Sequence, residues 1–363
     1  IKQVLDSGVF ESVGNRSYSR PSRESAVWVR FALTNSSPES VSRNLVYGTR
    51  LTDSVTAYLP NGSDGFIAHY AGEDSELVDR QVPLALPVFE LSVSPQEERI
   101  FYLRLVDESP HPVMLFLKSW PELESSESSR NLINGLFMGT LLLLTFYGIY
   151  LAARSKGERM YLWFLAYVVG VLGNTAFYHW GGAGIYLPAE IRGELNNRLI
   201  VVSAVITFWA AERFAFYLLD LRLDNPKMAG WFKGLNYLRF IALISVIILP
   251  FDIASMITVA CLPPILIPVG LALPKVFRGD RIAIMYSATW VMLVGSVVVM
   301  YAEVFGFIPH MYRGGQSIYI ALEIQFFVFC VAMNDKVRRI EDERAEALQA
   351  ELEAYARNAA LSK

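Results

Sequence analysis

Apolar runs separated by brief polar stretches fill the chain from about Leu132 to Met333. The residues up to about Ser129 mix charged, Pro/Gly and short alternating segments, and the ending is highly charged again. A helix needs about 20 mainly apolar residues to cross the hydrocarbon core of a bilayer. Seven segments approach that length: 132–153, 160–178, 199–219, 235–250, 253–275, 282–304 and 316–333. Only Pro250, Phe251 and Asp252 separate the fourth from the fifth, which reads as a tight hairpin, with one long re-entrant element as the alternative. The pattern therefore predicts a membrane protein in three parts: a β-sandwich domain over 1–129, a seven-helix transmembrane domain over 130–334 and a helical segment over 335–363.

Within the first part, several stretches alternate with period two between turn signals, the mark of half-buried strands. In 26–33, Val27, Val29, Phe31 and Leu33 share one face while Trp28 and Arg30 take the other. In 100–105, Phe101, Leu103 and Leu105 oppose Tyr102 and Arg104. Val55, Ala57 and Leu59 alternate with Thr56 and Tyr58 ahead of a Pro60-Asn61-Gly62 turn, and 88–93 and 113–117 bring the expected strands to at least five. If these strands share a sheet, Trp28, Arg30, Tyr58, Tyr102 and Arg104 line one surface of aromatic planes and guanidinium forks. Such a surface suits sugars or anionic ligands; covering a sheet edge or meeting a partner subunit is the alternative.

In the third part Val337, Leu348, Leu352 and Tyr355 form a narrow apolar stripe in a Glu/Arg/Ala-rich background, with Ile340, Ala345 and Ala359 filling gaps. This predicts a helix continuous with the last span that pairs with a second copy as a parallel coiled coil. The step of eleven from Val337 to Leu348 departs from strict heptads and predicts a stutter.

Composition adds orientation. Short cytoplasmic loops retain Lys and Arg. Twelve such residues follow the odd-numbered spans (Arg154, Lys156, Arg159; Arg222, Lys227, Lys233; Lys275, Arg278, Arg281; Lys336, Arg338, Arg339), against Arg192, Arg198 and Arg313 opposite. The N-terminal domain is accordingly expected outside the cytoplasm and the C-terminus inside. The net charge of −3 averages three unlike parts, and no basic footprint for nucleic acid is present. Cys261 and Cys330, the only cysteines, lie in apolar runs, so the first domain has no disulfide to rely on. The chain opens at Ile1 without a basic region and apolar stretch, as expected of an exported domain whose signal peptide is removed or lies outside this sequence.

Ionisable groups inside spans are costly and often functional. Glu212, Arg213, Glu303 and Glu323 qualify, with Asn174 and Gln325 nearby in the pattern; Arg239 and Glu303 lie near span ends, where they can snorkel. Glu323, close to the middle of the last span, is expected at the centre of a polar network with Arg213, Asn174 or Gln325, either as a switch or as interhelical glue. Pro263, Pro264, Pro268 and Pro274 predict a broken fifth helix. Acidic residues Asp64, Glu73, Asp74, Glu76 and Asp79 offer oxygen ligands of the kind that hold Ca²⁺, but without a fixed loop spacing; a solvated loop is the preferred reading and no metal is expected.

The succession Val27-Trp28-Val29-Arg30-Phe31, Thr34-Asn35, Tyr58-Leu59-Pro60-Asn61-Gly62, Arg80-Gln81-Val82-Pro83 and Tyr102-Leu103-Arg104, with seven helices behind it, resembles bacterial seven-transmembrane receptors with diverse intracellular signalling modules that carry a type 2 extracellular domain. The resemblance spans nearly the whole chain. It implies a jelly-roll sensor similar to carbohydrate-binding modules, a periplasmic location and output through a histidine kinase, a diguanylate cyclase or a related domain. One departure is that no strand pattern is clear before Ser25.

The alternative function is a membrane transporter or enzyme with an accessory β-domain. His69, His111, His179 and His310 are scattered, neither H-E-x-x-H nor G-x-S-x-G occurs in a span, and no inverted repeat is evident. A retinal pigment needs a lysine in the last span, and 316–333 has none. The expectation is thus a receptor fragment without cofactor or catalytic residues, partnered by the bilayer, a small-molecule or glycan ligand and a second copy of itself.

Overall fold

The alternating segments form strands. The computed structural model describes the chain except residues 2–3, 6–7, 13–17, 20–25, 49–51, 62–64, 107–111, 155–157, 181–188, 222–225, 261–262, 305–313 and 362–363. Nine strands are present among the described residues: β1 (Tyr18–Ser19), β2 (Val27–Thr34), β3 (Val41–Tyr47), β4 (Ser54–Asn61), β5 (Gly65–Ala71), β6 (Val88–Val93), β7 (Glu98–Val106), β8 (Pro112–Val113) and β9 (Leu115–Lys118). They pair antiparallel into a four-stranded sheet of order β2-β7-β4-β5, a three-stranded sheet β6-β3-β9 and a two-stranded ribbon β1-β8.

The register places Val29 opposite Leu103 and Leu103 opposite Ala57, so the apolar faces of β2, β7 and β4 coincide. These residues, with Val55, Phe101 and Leu105, pack against Leu45 and Tyr47 of β3 and Phe89, Leu91 and Val93 of β6, so the core lies between the two larger sheets. Besides the two-residue β1, which lies before Ser25, two strands were not legible as alternation. The central strand β3 is covered on both sides: Leu45 and Tyr47 enter that core, while Val46 joins Val82, Leu86, Val88 and Leu123 in a second cluster. A strand covered on both faces loses its period-two signal. The edge strand β5 exposes Ile67 and Tyr70, which lie on opposite faces and blur its signal too.

β9 runs almost directly into helix α1 (Trp120–Arg154). Glu122 accepts hydrogen bonds from the backbone N–H and the hydroxyl of Ser119, both at 2.8 Å, the returning half of a capping box. Those bonds hold its carboxyl below the usual range. One residue on, Leu123 is almost fully buried in the second cluster.

The remaining helices are α2 (Arg159–Trp180), α3 (Ala189–Leu218), α4 (Pro226–Ile248), α5 (Phe251–Ala260), α6 (Ile267–Phe277), α7 (Arg281–Val304) and α8 (Gly314–Leu361). Six stretches among the described residues are long and apolar enough to cross a bilayer, with α5 and α6 counted as one; the apolar part of α4, Gly234–Ile248, is shorter. Six of the seven expected spans therefore have the length of a full crossing among the described residues, and the fourth, expected over 235–250, falls short of it. α4 and α5 are separated by Leu249 and Pro250, and Leu243 and Ile257 both pack against Val205 and Ala242, the arrangement of a hairpin. The proline-rich fifth helix is interrupted by a 3-10 turn at Pro263–Leu266, because consecutive prolines remove the donors an α-helix requires there; Pro274 is accommodated inside α6.

The chain divides into two compact units, one of 1–139, 172–203 and 301–311, the other of 140–171, 204–300 and 312–363. In the first, Asn174 of α2 donates to the Ile200 carbonyl and Ser203 hydroxyl of α3 at 3.2 and 3.4 Å, and Asn196 donates to the Phe177 carbonyl at 3.2 Å. In the second, Phe164, Phe214, Phe326, Phe329 and Tyr286 form a buried aromatic core. Gly170 allows α2 to meet α3 there: a Cβ on it would lie 2.6 Å from Thr207 Oγ1 and 2.9 Å from the Thr207 nitrogen.

Candidate functional site

The pleat sends alternate residues of the four-stranded sheet away from the core. Trp28 lies opposite Arg104, Arg30 opposite Tyr102, and Tyr58 opposite Tyr102, so all five expected residues share the outer face. Trp28 and Tyr58 stack with ring centroids 5.4 Å apart. Arg30 is exposed, and Trp28, Tyr58 and Arg104 are half-buried.

Tyr102 departs from the expectation of an exposed lining residue: it is only 7% exposed. Phe66 of β5 meets it edge-on at 5.5 Å, and Phe10, from the segment before the first strand, packs on it at 6.0 Å. The Arg30 guanidinium lies over the Phe10 ring at 5.8 Å, a cation–π geometry. Part of the face is therefore covered by the chain itself, and of the five expected residues Trp28, Tyr58, Arg30 and Arg104 keep some exposure.

Two polar residues of the motifs quoted above hold loops together. Asn35 is buried; its amide nitrogen donates to the carbonyls of Glu39, Val93 and Ser94 at 2.8, 3.0 and 3.1 Å, and its oxygen accepts from Ser37. Arg80 donates to Ser75 Oγ at 3.2 Å and to the Leu84 carbonyl at 2.8 Å, and also reaches the carbonyls of Gly72 and Ser75. Gly72 closes that loop at φ +118°, and a Cβ there would lie 2.6 Å from the Asp53 carbonyl oxygen. These side chains satisfy backbone carbonyls of their own loops.

The acidic loop does not gather into a metal cage: among the described residues no three His, Cys, Asp or Glu side chains converge. Glu73 is buried, and a Cβ on Gly193 of α3 would lie 3.4 Å from its Oε2. Burial raises the pKa of neighbouring Asp74, Glu76 leads into the 3-10 turn Leu77–Asp79, and Asp64 lies outside the described residues.

In the helices, the expected network around Glu323 is replaced by separate pairs. Glu212 of α3 and Arg239 of α4, both almost fully buried, form an ion pair through Arg239 Nη2 and Glu212 Oε1. Arg239 does not snorkel. Asn236, one turn earlier on α4, accepts from Arg213 Nε at 2.7 Å and Trp209 Nε1 at 2.8 Å. Gln325 accepts from the Tyr167 hydroxyl at 2.9 Å, and Asn174 bonds within the first unit as described. Glu323 is half-buried, and no hydrogen bond or ion pair of its side chain is found among the described residues; the Glu303 side chain lies outside them. Pairing depends on the angular phase of two helices, and a linear spacing does not contain it. The legible signal was opposite charge on consecutive spans, Glu212 and Arg239.

α8 continues unbroken from the last apolar span through Leu361. Val337 is half-buried, Leu348 and Leu352 are 59% and 62% exposed, and the Tyr355 side chain lies outside the described residues.

Comparison with known proteins agrees with this layout. Residues 130–336, more than half of the chain, match the family described as 7TM diverse intracellular signalling, and residues 1–120 match that described as 7TMR-DISM extracellular 2. No curated protein matches the chain. It is a multi-pass membrane protein with a transmembrane sensor architecture, and it belongs to the family of seven-transmembrane receptors with diverse intracellular signalling, with a type 2 extracellular domain at its N-terminus.

Proposed function

We propose that this chain is the input and transmission half of a receptor: residues 1–129 bind an extracytoplasmic ligand, 130–334 relay the event through seven crossings, and 335–363 carry it to a cytoplasmic output domain. The observation that carries the reading is the junction of β9 with α1, where Leu123 is buried with Val46 of β3, Val88 of β6 and the loop residues Val82 and Leu86 while the same helix continues into the first span. A change in the sheets has a rigid element on which to act. A ligand drives it only by binding two arrangements unequally.

In this reading the ligand is a carbohydrate or other small molecule held on the outer sheet face by Trp28, Tyr58, Arg30 and Arg104. The Trp28–Tyr58 stack and two nearby guanidinium groups support that chemistry. The fold class follows the jelly roll of carbohydrate-binding modules. Gly234–Ile248 serves as a short seventh crossing beside the six longer ones, and the loop charges orient the N-terminal domain to the periplasm of a bacterial inner membrane. A histidine kinase is the preferred output, then a diguanylate cyclase, and the exposed Leu348 and Leu352 favour a parallel homodimer through α8.

The test of the sensing face is a glycan and small-molecule screen on the purified chain in detergent. A ligand is expected to raise the melting temperature, and Trp28→Ala or Arg30→Ala to reduce that rise; no shift with any compound counts against the face. Dimerisation is read separately: Leu348→Cys cross-links in membranes if α8 pairs, and persistent monomer removes the coiled coil.

A further inference from the structure

At the C-terminal end of α3, Tyr217 and Leu218, with Leu219 just beyond the helix, present carbonyl oxygens that no further turn of that helix can satisfy. Cations on two other helices meet them. Lys336 of α8, only 6% exposed, donates to the carbonyls of Tyr217 and Leu218 and to Asp220 Oδ1 at 2.7 Å. Lys275 of α6 donates to the carbonyl of Leu219. Asp220 holds a left-handed backbone at φ +51°, which turns the chain out of α3. Its second carboxylate oxygen lies 3.5 Å from Arg339 of α8, which also reaches Asp280 at 3.6 Å. Asp280 in turn caps α7 by accepting from the Ala283 N–H at 3.0 Å.

Beyond this cluster, residues 341–352 of the helix are exposed throughout. Burying an ammonium group is tolerable only when oxygens replace its water. A turn of α8 by one residue swings its side chains by about 100° and carries Lys336 away from three acceptors at once, which gives the helix one favoured phase.

We propose that Lys336, Asp220 and Arg339 form a register latch, which fixes the phase of α8 where it leaves the bundle and whose opening passes a rearrangement of α3, α6 and α7 to the exposed part of α8. The inference rests on the reading of α8 as the output helix. Its test requires neither ligand nor output domain, so it can fail while the receptor reading stands, and the reverse.

Hydrogen exchange of the full chain in lipid nanodiscs supplies the test. Lys336→Met is expected to speed exchange across 333–341 by about tenfold or more, with Lys336→Arg restoring part of the protection and 160–170, deep in the same unit, unchanged. Asp220→Gly tolerates φ +51° and removes the carboxylate together with the rest of the side chain; it is expected to give a smaller rise over the same residues. Unchanged exchange over 333–341 overturns the latch, and so does acceleration shared equally by 160–170, which makes the cluster a general folding contact. If Lys336→Met does not accumulate, the same two outcomes are read on Asp220→Gly.

Discussion

The Glu212–Arg239 pair sets the strongest constraint on single side chains in the helices. Two charges buried together are stable only while both are present: removing one partner strands the other in a low-dielectric interior, at a cost of about 3–5 kcal/mol. Arg239→Ala is therefore expected to lower thermal stability in detergent sharply, while the double variant Glu212→Leu/Arg239→Met recovers most of the loss. A single variant as stable as the parent contradicts the buried pair. Residue identity was legible in the sequence here and residue pairing was not. Glu323 looked central from its depth in the last span, and the rotation of α8 relative to its neighbours decides that Gln325 meets Tyr167 instead. The sheet face shows the complementary case. Alternation placed Trp28, Arg30, Tyr58, Tyr102 and Arg104 together, because the pleat has period two whatever the topology, but Phe10 covers Tyr102 from a segment without a periodic pattern.

At the scale of elements, the β9–α1 junction matters most. A helix that only followed the domain through a flexible linker would have no side chain in the core, whereas Leu123 is 1% exposed among Val46, Val82, Leu86 and Val88. Leu123→Ala removes that anchor at a cost of about 2–5 kcal/mol, which thermal unfolding of the intact chain is expected to report as earlier loss of the N-terminal domain. No change places Leu123 outside the cooperative core. Strands β2, β4, β6 and β7 were readable because their apolar residues alternate, and most spans because they are long apolar runs. β3 was hidden by burial on both faces. The break in the fifth helix was readable because Pro263 and Pro264 act through their own backbone and need no partner.

At the scale of the whole molecule, the parity of the crossings decides the account. Six stretches have the length of a full span, and the apolar part of α4, Gly234–Ile248, falls short of it. If that segment crosses, the N-terminal domain and the C-terminal part of α8 lie on opposite sides of the membrane, and a ligand signal has a barrier to cross. If it does not, they share a side. Loop charge favours the first arrangement, with twelve Lys and Arg against three. The direct measurement replaces Cys261 and Cys330 by Ser and introduces single cysteines at Val78, 87% exposed, and at Leu348, 59% exposed, for labelling with a membrane-impermeant maleimide on intact spheroplasts. With seven crossings Val78→Cys is labelled at once and Leu348→Cys only after the membrane is opened; equal labelling of the two in intact spheroplasts contradicts that topology.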